Sequence, residues 1–541
     1  MKEKLIGLKK EIGVYGILAV LQYFAAVFFN FRYISASVES DSAKLYRHAI
    51  EMSKNHALYI KGWSNATTME WDSAAILAAP FYSLTHNIYI SVALANTVLL
   101  LFFLFLVFVL FKRFNQPTIN IMKAYNLFLI PYGFGMLEYF NMMFFGGSQY
   151  IFRLILPVTF IIIMKTEKGK RLRPLNIILC AFAAVMFLIA ASSSGIYILV
   201  SCAMPLFVVV LLDAILSDNF KSYDLYQYAV CVCILVCAGI GVVLNKSIGG
   251  GELGNTMSLL RWYDWRYYAD AFVEGYFRIM GAMPGMIEGD EVAVMSLRGF
   301  AFLLKFVISI LVLIVMVVAI KQTVFKGKRA DIRYYLAGIS FVNLAMLLVC
   351  ETRYSSLNST LEARYLLPVI VPILLIIPIQ LELWKDSWSK YLQIIVSVVF
   401  AVGTVFVTAV GYVDAHDALD QYAFCDEIVD YVKESGYTDV IFVEDRPDAE
   451  VCRLKDLDHT YVSYIPGGPL MDVVDFYQAQ FRPSYYNPEG NLLFVMQGTD
   501  LSAVLNPNIL PAYTYRDSIL WFDIYESHEF VLLPPEYEEL F

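Results

Sequence analysis

The sequence predicts a multi-pass α-helical membrane protein with a small soluble α/β domain at its C-terminal end. Three observations carry that reading. Hydrophobic residues make up 59% of the 541 and charged residues only 16%, too little charge to solvate a globular surface of this size. Eleven apolar stretches are long enough, or nearly so, to cross about 30 Å of hydrocarbon. Composition then reverses: residues 1–412 carry a net charge of +10, whereas 413–541 hold 25 acidic and 6 basic side chains.

The apolar stretches lie at 14–31, 89–111, 123–143, 151–164, 175–191, 196–214, 225–244, 299–320, 334–350, 365–383 and 391–412. The first follows Lys2, Lys4, Lys9 and Lys10, and no small-residue cleavage site comes after it, so it reads as a retained span with the N-terminus inside. Eleven spans then put the C-terminus outside. Lys165, Lys168, Lys170, Arg171 and Arg173 fall in one inside segment and Lys321, Lys326, Lys328, Arg329 and Arg333 in another, as the positive-inside rule requires. The expected location is the cell (plasma) membrane with an extracytoplasmic tail.

Two outside loops are large, 32–88 and 245–298, and each contains an amphipathic, aromatic-rich run that suits a helix lying along the membrane surface: Ser42 to His56 and Ser258 to Met280. The tail alternates helix and strand signals. A helix is expected from Asp417 to Glu434, stopped by Gly436, with strands at Asp439–Val443, Thr460–Ile465, Asn491–Gln497 and Ile519–Tyr525. It contains no GxGxxG, Walker or nucleophile-elbow pattern, so the chemistry is expected in the membrane part. Cys425 and Cys452 can pair if the tail is extracytoplasmic; the other six cysteines lie in or at the ends of apolar spans and read as small buried side chains.

Glu39-Ser40-Asp41 stands just beyond the first span, at the head of the first outside loop. Residues two apart in extended chain share a face, so both carboxylates can point into one cavity, one as general base and the other tuning it or helping to hold a divalent cation. The same residues also read as a solvated loop start, or as the N-cap of a following helix, with Ser40 or Asp41 the capping residue. His48, Trp63, Glu70 and Asp72 follow in that loop, and Trp262 and Tyr263 lie in the second large loop. All six are candidate substrate contacts; interfacial anchoring is the commoner role for the aromatic ones and a plain surface position for the histidine. Arg153 and Arg364 open the fourth and tenth spans, and Lys305 sits about two turns inside the eighth. Cations at such depth are costly and suit the grip of a lipid phosphate, or else snorkel or pair locally.

In its order of parts the chain resembles the GT-C glycosyltransferases, which use polyprenyl-phosphate sugars. The resemblance covers most of residues 1–412. It rests on the first span followed by Glu39-Ser-Asp41 and a helical loop, on Asp72-Ser-Ala-Ala-Ile-Leu-Ala-Ala-Pro-Phe-Tyr82 before the second span, and on Ala363-Arg-Tyr-Leu-Leu-Pro368 entering a late one. A soluble α/β tail is also similar to members related to protein mannosyltransferases and lipid A aminoarabinose transferases. The resemblance implies that a first-loop carboxylate deprotonates the acceptor hydroxyl, here Asp41, with Glu39 beside it and a divalent cation (Mg²⁺ or Mn²⁺) as the possible cofactor. Paired acids are commonly adjacent in that class, and here Ser40 separates them. The implied partners are a polyprenyl-phosphate-linked sugar donor, an envelope glycan, lipid or protein acceptor, and the bilayer, with no nucleic acid. Two other readings stand beside it, a transporter or flippase of lipid-linked glycans and a non-catalytic envelope assembly protein. No internal repeat of the kind transporters show is present.

Overall fold

Residues 2–60, 63, 68–132, 138–166, 174–216, 225–248, 265–282, 292–328, 331–349, 363–443, 447–467, 470–473, 490–505 and 510–528 are described by the structure, a computed structural model. Trp262 and Tyr263 lie outside them, as does the start of the amphipathic run that contains them.

The helices follow the apolar pattern closely. α1 (Lys2–Tyr33) bends at Gly13, whose φ of +56° only glycine adopts readily, and its apolar portion starts there. α2 (Ser40–Asn55) and α3 (Ala75–Thr85) build the first loop before α4 (Ile88–Arg113). α5 (Thr118–Phe128) stops short of the span expected at 123–143, and the chain resumes as α6 (Glu138–Phe140) and a π-helical turn, Asn141–Phe145. Pro131 accounts for the break: it has no N–H to donate and pushes the residue before it out of helical conformation.

α7 (Phe152–Met164) has every residue buried, so protein rather than lipid surrounds this thirteen-residue helix. Next come α8 (Pro174–Ser194) and α9 (Ile196–Ile198), which runs through a second π-turn into α10 (Met204–Leu216), and then α11 (Leu225–Ser247). α12 (Trp265–Ile279) is the amphipathic helix of the second large loop, and its Tyr276 hydroxyl donates to the Ser309 carbonyl of α13 (Leu297–Ile320) at 2.5 Å. α14 (Ile332–Val349), α15 (Leu367–Lys385) and α16 (Lys390–Asp417) complete the bundle. Among the described residues, eight helices are long and apolar enough to cross a membrane. The three remaining expected spans correspond to the broken α5–α6 segment, to α7 and to α14. α7 and α15 occupy the centre of the bundle, whereas α11 and α16 present most of their surface outward.

The tail folds as α17 (Phe424–Ser435), β1 (Asp439–Val443), α18 (Pro447–Lys455), β2 (Thr460–Gly467), β3 (Leu470–Val473), β4 (Asn491–Met496), α19 (Leu501–Val504), β5 (Thr514–Ile519) and β6 (Phe522–Ser527). Its mixed sheet has the order β3-β2-β1-β4-β6-β5, with β1 parallel to β2 and β4 and the remaining pairs antiparallel. Two expectations are corrected. The helix expected from Asp417 starts at Phe424, because α16 runs on to Asp417 and the chain then turns through Asp420, φ +67°. The strand expected at 519–525 is instead a hairpin, with Ile519 and Phe522 paired across a turn at Leu520 (φ +54°) and Trp521. Two bulky apolar residues carry none of the usual turn signals, so the break was hidden. Cys425 and Cys452 are neighbours in the core of this unit, the Cys452 thiol pointing at the Cys425 carbonyl at 4.0 Å.

Candidate active site

Glu39 is the residue on which α2 starts. Its backbone is extended (φ −123°, ψ 176°), and its N–H donates to the Ser42 hydroxyl at 2.9 Å. Asp41 falls in the first turn, where the helix dipole favours a negative charge. Both expectations for this motif are corrected in part: Glu39, not Ser40 or Asp41, occupies the cap position, and Asp41 is helical rather than extended, yet both carboxylates line one cavity. That cavity, about 140 Å³, is completed by Asn141, Gln149, Tyr150 and Arg364. Arg364 arrives from the 3₁₀ turn Ala363–Leu366 that leads into α15, and its Nη1 lies 3.8 Å from Asp41 Oδ2. Both side chains stay partly open to solvent, 40% for Arg364 and 52% for Asp41, so the pair is loose and accessible.

The wall of the cavity depends on Gly146-Gly147-Ser148. Gly147 has φ +68°, and a Cβ there would lie 2.5 Å from Leu45 Cδ2, so only glycine lets the turn sit against α2. Ser148 donates to Asn96 Oδ1 and to the Met143 carbonyl, both at 2.7 Å, while the Tyr46 hydroxyl of α2 donates to the Phe145 carbonyl at 2.6 Å. These bonds fix the π-turn and the start of α2 to the same frame, α4.

Arg153 lies behind Tyr150 rather than in the cavity. It is buried, with its guanidinium carbon 4.5 Å from the Tyr150 ring centre and 5.4 Å from that of Tyr197. Tyr365, next to Arg364, stacks on Tyr197 at 6.2 Å and meets Tyr150 edge-on at 6.4 Å. Tyr150 is thus within electrostatic reach of Arg153, Arg364 and Asp41 together. Lys305 does not line this cavity; it is buried in α13 within electrostatic reach of Asp414 on α16, and Arg298 bonds to Asp414 at 2.8 Å.

The remaining first-loop candidates form two groups. His48, two turns along α2 from Asp41, places Nδ1 3.1 Å from Glu70 Oε2 and stacks on Trp63 at 4.8 Å and 11°. His48 and Trp63 are both buried, and Arg47 covers Trp63 at 5.9 Å. Asp72 is buried separately, accepting from the hydroxyls of Ser193 and Ser194 at 2.6 Å each. Burial pushes its carboxyl above the usual carboxylate range, and the two hydroxyls and Arg153 partly offset that. Ser193 also accepts from the Trp71 N–H at 2.9 Å, and Asn245 donates to the carbonyls of Ser192 and Ser193 at 2.9 and 3.0 Å. Asp72 therefore ties the loop to the break between α8 and α9. None of these four residues lines the Asp41 cavity.

Sequence reasoning did not single out Tyr150, Tyr197 and Tyr365, because 37 tyrosines give no local signal. Gln149 and Tyr150 stand in the Gly146–Tyr150 segment before Arg153, and that glycine pair was the available pointer.

No protein-family profile matches the sequence and no curated protein matches it. Solved structures do. ArnT from Cupriavidus metallidurans, bound to undecaprenyl phosphate, superposes with a TM-score of 0.51 at 12% identity over 97% of this chain and 99% of that one. The same protein in its apo state gives a TM-score of 0.52 at 12% identity, covering 95% and 99%. At this identity the likeness shows a shared fold, that of ArnT. The archaeal oligosaccharyltransferase AglB from Archaeoglobus fulgidus, in complex with an inhibitory peptide and a dolichol-phosphate, gives a TM-score of 0.47 at 11% identity, and the match covers 81% of this chain and 63% of AglB. The likeness of fold to ArnT includes the C-terminal unit, since it runs over nearly the whole of both chains.

Proposed function

We propose that this protein is a membrane glycosyltransferase that moves a sugar from a polyprenyl-phosphate donor to a cell-envelope acceptor on the extracytoplasmic face, with inversion. The observation that carries the proposal is the meeting of Asp41 and Arg364 at 3.8 Å across a cavity shared with Glu39, from chain segments more than 300 residues apart. The near full-length likeness to the structure of ArnT bound to undecaprenyl phosphate supports the donor class.

The step follows from the positions of the charges. An acceptor O–H in the cavity gives its proton to the Asp41 carboxylate as its oxygen attacks the anomeric carbon. The bond from that carbon to the phosphate oxygen breaks on the opposite side, and its electron pair leaves with the lipid phosphate. Arg364, with its planar fork, faces the charge that develops there. Arg153, held behind Tyr150, adds positive potential without contact. Glu39, on the same cavity, keeps the Asp41 side electronegative.

A divalent cation, Mg²⁺ or Mn²⁺, would be held by Glu39 and Asp41, an oxygen donor set that suits such an ion beside a phosphate. When bound it would supply further neutralisation of phosphate charge. His48, Trp63, Glu70 and Asp72 enter the proposal as supports of the acceptor side of the loop, and Trp262 and Tyr263 as candidate sugar-stacking residues. Lys305 enters as a cation acting through the α13–α16 contact.

The test is transfer of labelled sugar from undecaprenyl-phosphate donors by the purified full-length protein, with mass analysis of envelope glycans in cells with and without it. Loss of a glycan feature in the deletion, restored by wild type and not by Asp41→Asn, supports the reading. An unchanged glycan profile and no donor turnover would sink it.

A further inference from the structure

A second cavity, about 440 Å³, lies at the other end of the same helices. α15 separates the two: Arg364 stands just before its start and Lys385 ends it, nineteen helical residues or about 28 Å away. That is close to one hydrocarbon thickness, so the second cavity sits at the membrane–water boundary opposite Asp41.

Its polar end holds Lys123 from α5 with Glu382 and Lys385 from α15, two ammonium groups against one carboxylate. Lys385 lies 3.2 Å from Glu382 with both side chains half exposed, a pairing that water screens strongly. Lys123 lies 4.9 Å from the Tyr15 ring centre, and the Tyr15 hydroxyl donates to the Ser397 carbonyl at 2.9 Å, which fixes α1 to α16 beneath it. Trp388 stands on the turn between α15 and α16, at the depth where indole rings favour the interface. The turn is closed by Gln393, whose amide donates to the Lys385 and Trp388 carbonyls at 2.9 and 3.2 Å. From there the cavity wall continues through Ile394 and Val398, both more than half exposed, onto the outward face of α16.

A cationic pocket at headgroup depth thus opens onto an apolar, outward-facing helix. We infer that this cavity binds an anionic glycerophospholipid, with its phosphate at Lys123 and Lys385 and an acyl chain along Ile394 and Val398 of α16. Charge sets the selectivity. A phosphatidylcholine headgroup brings a trailing cation toward the two lysines, whereas phosphatidylglycerol brings none. The occupant is distinct from the donor lipid, whose phosphate is placed at Arg364 on the other boundary.

Native mass spectrometry of the full-length protein in detergent, mixed with equal amounts of phosphatidylglycerol and phosphatidylcholine, tests this. The expected result is preferential retention of phosphatidylglycerol, falling about fivefold for each lysine removed in Lys123→Gln and Lys385→Gln. Glu382→Gln removes the opposing carboxylate and is expected to raise retention by a similar factor; this arm decides if a lysine variant fails to fold. Excess glycerol phosphate is expected to displace little lipid, since it lacks the chain. Equal retention of the two lipids by wild type, unchanged retention in the variants, or full displacement by glycerol phosphate would each overturn the assignment. Donor turnover is read separately, so failure here leaves the proposed transfer reaction standing.

Discussion

Arg47 and Glu450 meet at 3.0 Å with both side chains buried. Arg47 belongs to α2, six residues after Asp41, and Glu450 to α18 of the C-terminal unit, so the pair joins the two parts of the chain at the helix that carries the candidate base. The Asp420 N–H donating to the Ala36 carbonyl at 3.1 Å adds a second tie nearby. A tail that the sequence presents as a separate acidic domain is thereby packed against the first loop. Removing one partner takes the compensating charge from the other in a water-poor setting, which typically costs about 3–5 kcal/mol. Glu450→Leu is therefore expected to lower the thermal unfolding midpoint and expose the α2 segment to protease. The double variant Arg47→Met/Glu450→Leu is expected to recover most of that loss. If the single and double variants are equally destabilised, the charge pairing is not what joins the two parts.

Gly195 is expected to be intolerant of a side chain. Its backbone (φ +54°, ψ −126°) is in a region that essentially only glycine enters, and a Cβ there would lie 2.7 Å from Asn245 Oδ1. The same Asn245 amide holds the Ser192 and Ser193 carbonyls, and Ser193 and Ser194 hold Asp72. Gly195→Ala should cost about 1–3 kcal/mol in strain alone. The loosening should travel to the first loop, read as faster amide exchange at Met69 and Trp71, whose N–H groups bond to Ser193. Destabilisation without faster exchange there would show that the Ser193 contacts do not depend on this turn.

Helices were legible where burial and period agreed, and illegible where one residue overrode them. The eight long spans declare themselves because about twenty apolar residues in a row have few other uses. The stretch 123–143 carries Lys123, Asn126, Glu138 and Asn141 among its apolar residues, Pro131 interrupts it, and the π-turn that follows builds one wall of the cavity. For the site, Glu39, Asp41, Arg364 and Arg153 are all charged residues at span ends, where the cost of burying charge flags them. Their neighbours were not legible. Tyr150, Tyr197 and Tyr365 come from three separate segments, and only the folded chain sets the first two against Arg153 and the third against both of them. Asp72 was visible as an acid in the right loop, but the two serines that hold it lie more than 120 residues away and belong to a run, Ser192-Ser193-Ser194, that reads as ordinary small-residue packing.

Asp439 gives the C-terminal unit a pH dependence whose sign is fixed. It begins β1, accepts from the Thr438 hydroxyl at 3.1 Å, and is pushed up to about 6 from the ordinary 3.8, chiefly by burial, with the hydrogen bonds and His459 offsetting part of it. The folded state therefore holds this proton more tightly than the unfolded one. Stability is fully present below the ordinary value and is lost as pH rises through about 6. Thermal unfolding of the C-terminal unit, followed by protease accessibility between pH 4 and 7, should show a midpoint that falls with pH. Asp439→Asn should flatten that slope, and a slope that survives the substitution assigns the effect to another group.

Asp41→Asn should separate chemistry from folding, and the geometry says why. The Asp41–Arg364 pair is long at 3.8 Å and half open to solvent, so its contribution to stability is at most about 1 kcal/mol. Losing the charge also removes a favourable interaction with the start of α2, again a surface-sized effect of about 0.3–1 kcal/mol. The variant should therefore unfold close to the wild-type temperature and still bind undecaprenyl phosphate, because Arg364 and Arg153 are untouched. In the proposed reaction, however, a carboxylate takes the acceptor proton, and its loss should lower the transfer rate about 10²–10⁴-fold. Arg364→Ala should act differently, weakening donor binding as well as turnover, since the proposed reaction sets it against the phosphate in both ground and transition states. Glu39→Gln decides between the two acids. On the proposed assignment, removing the Glu39 charge should slow transfer without abolishing it, because Asp41 remains in place. If Glu39→Gln abolishes transfer while Asp41→Asn retains it, the roles are exchanged and the residue at the helix cap, not the one in its first turn, takes the proton.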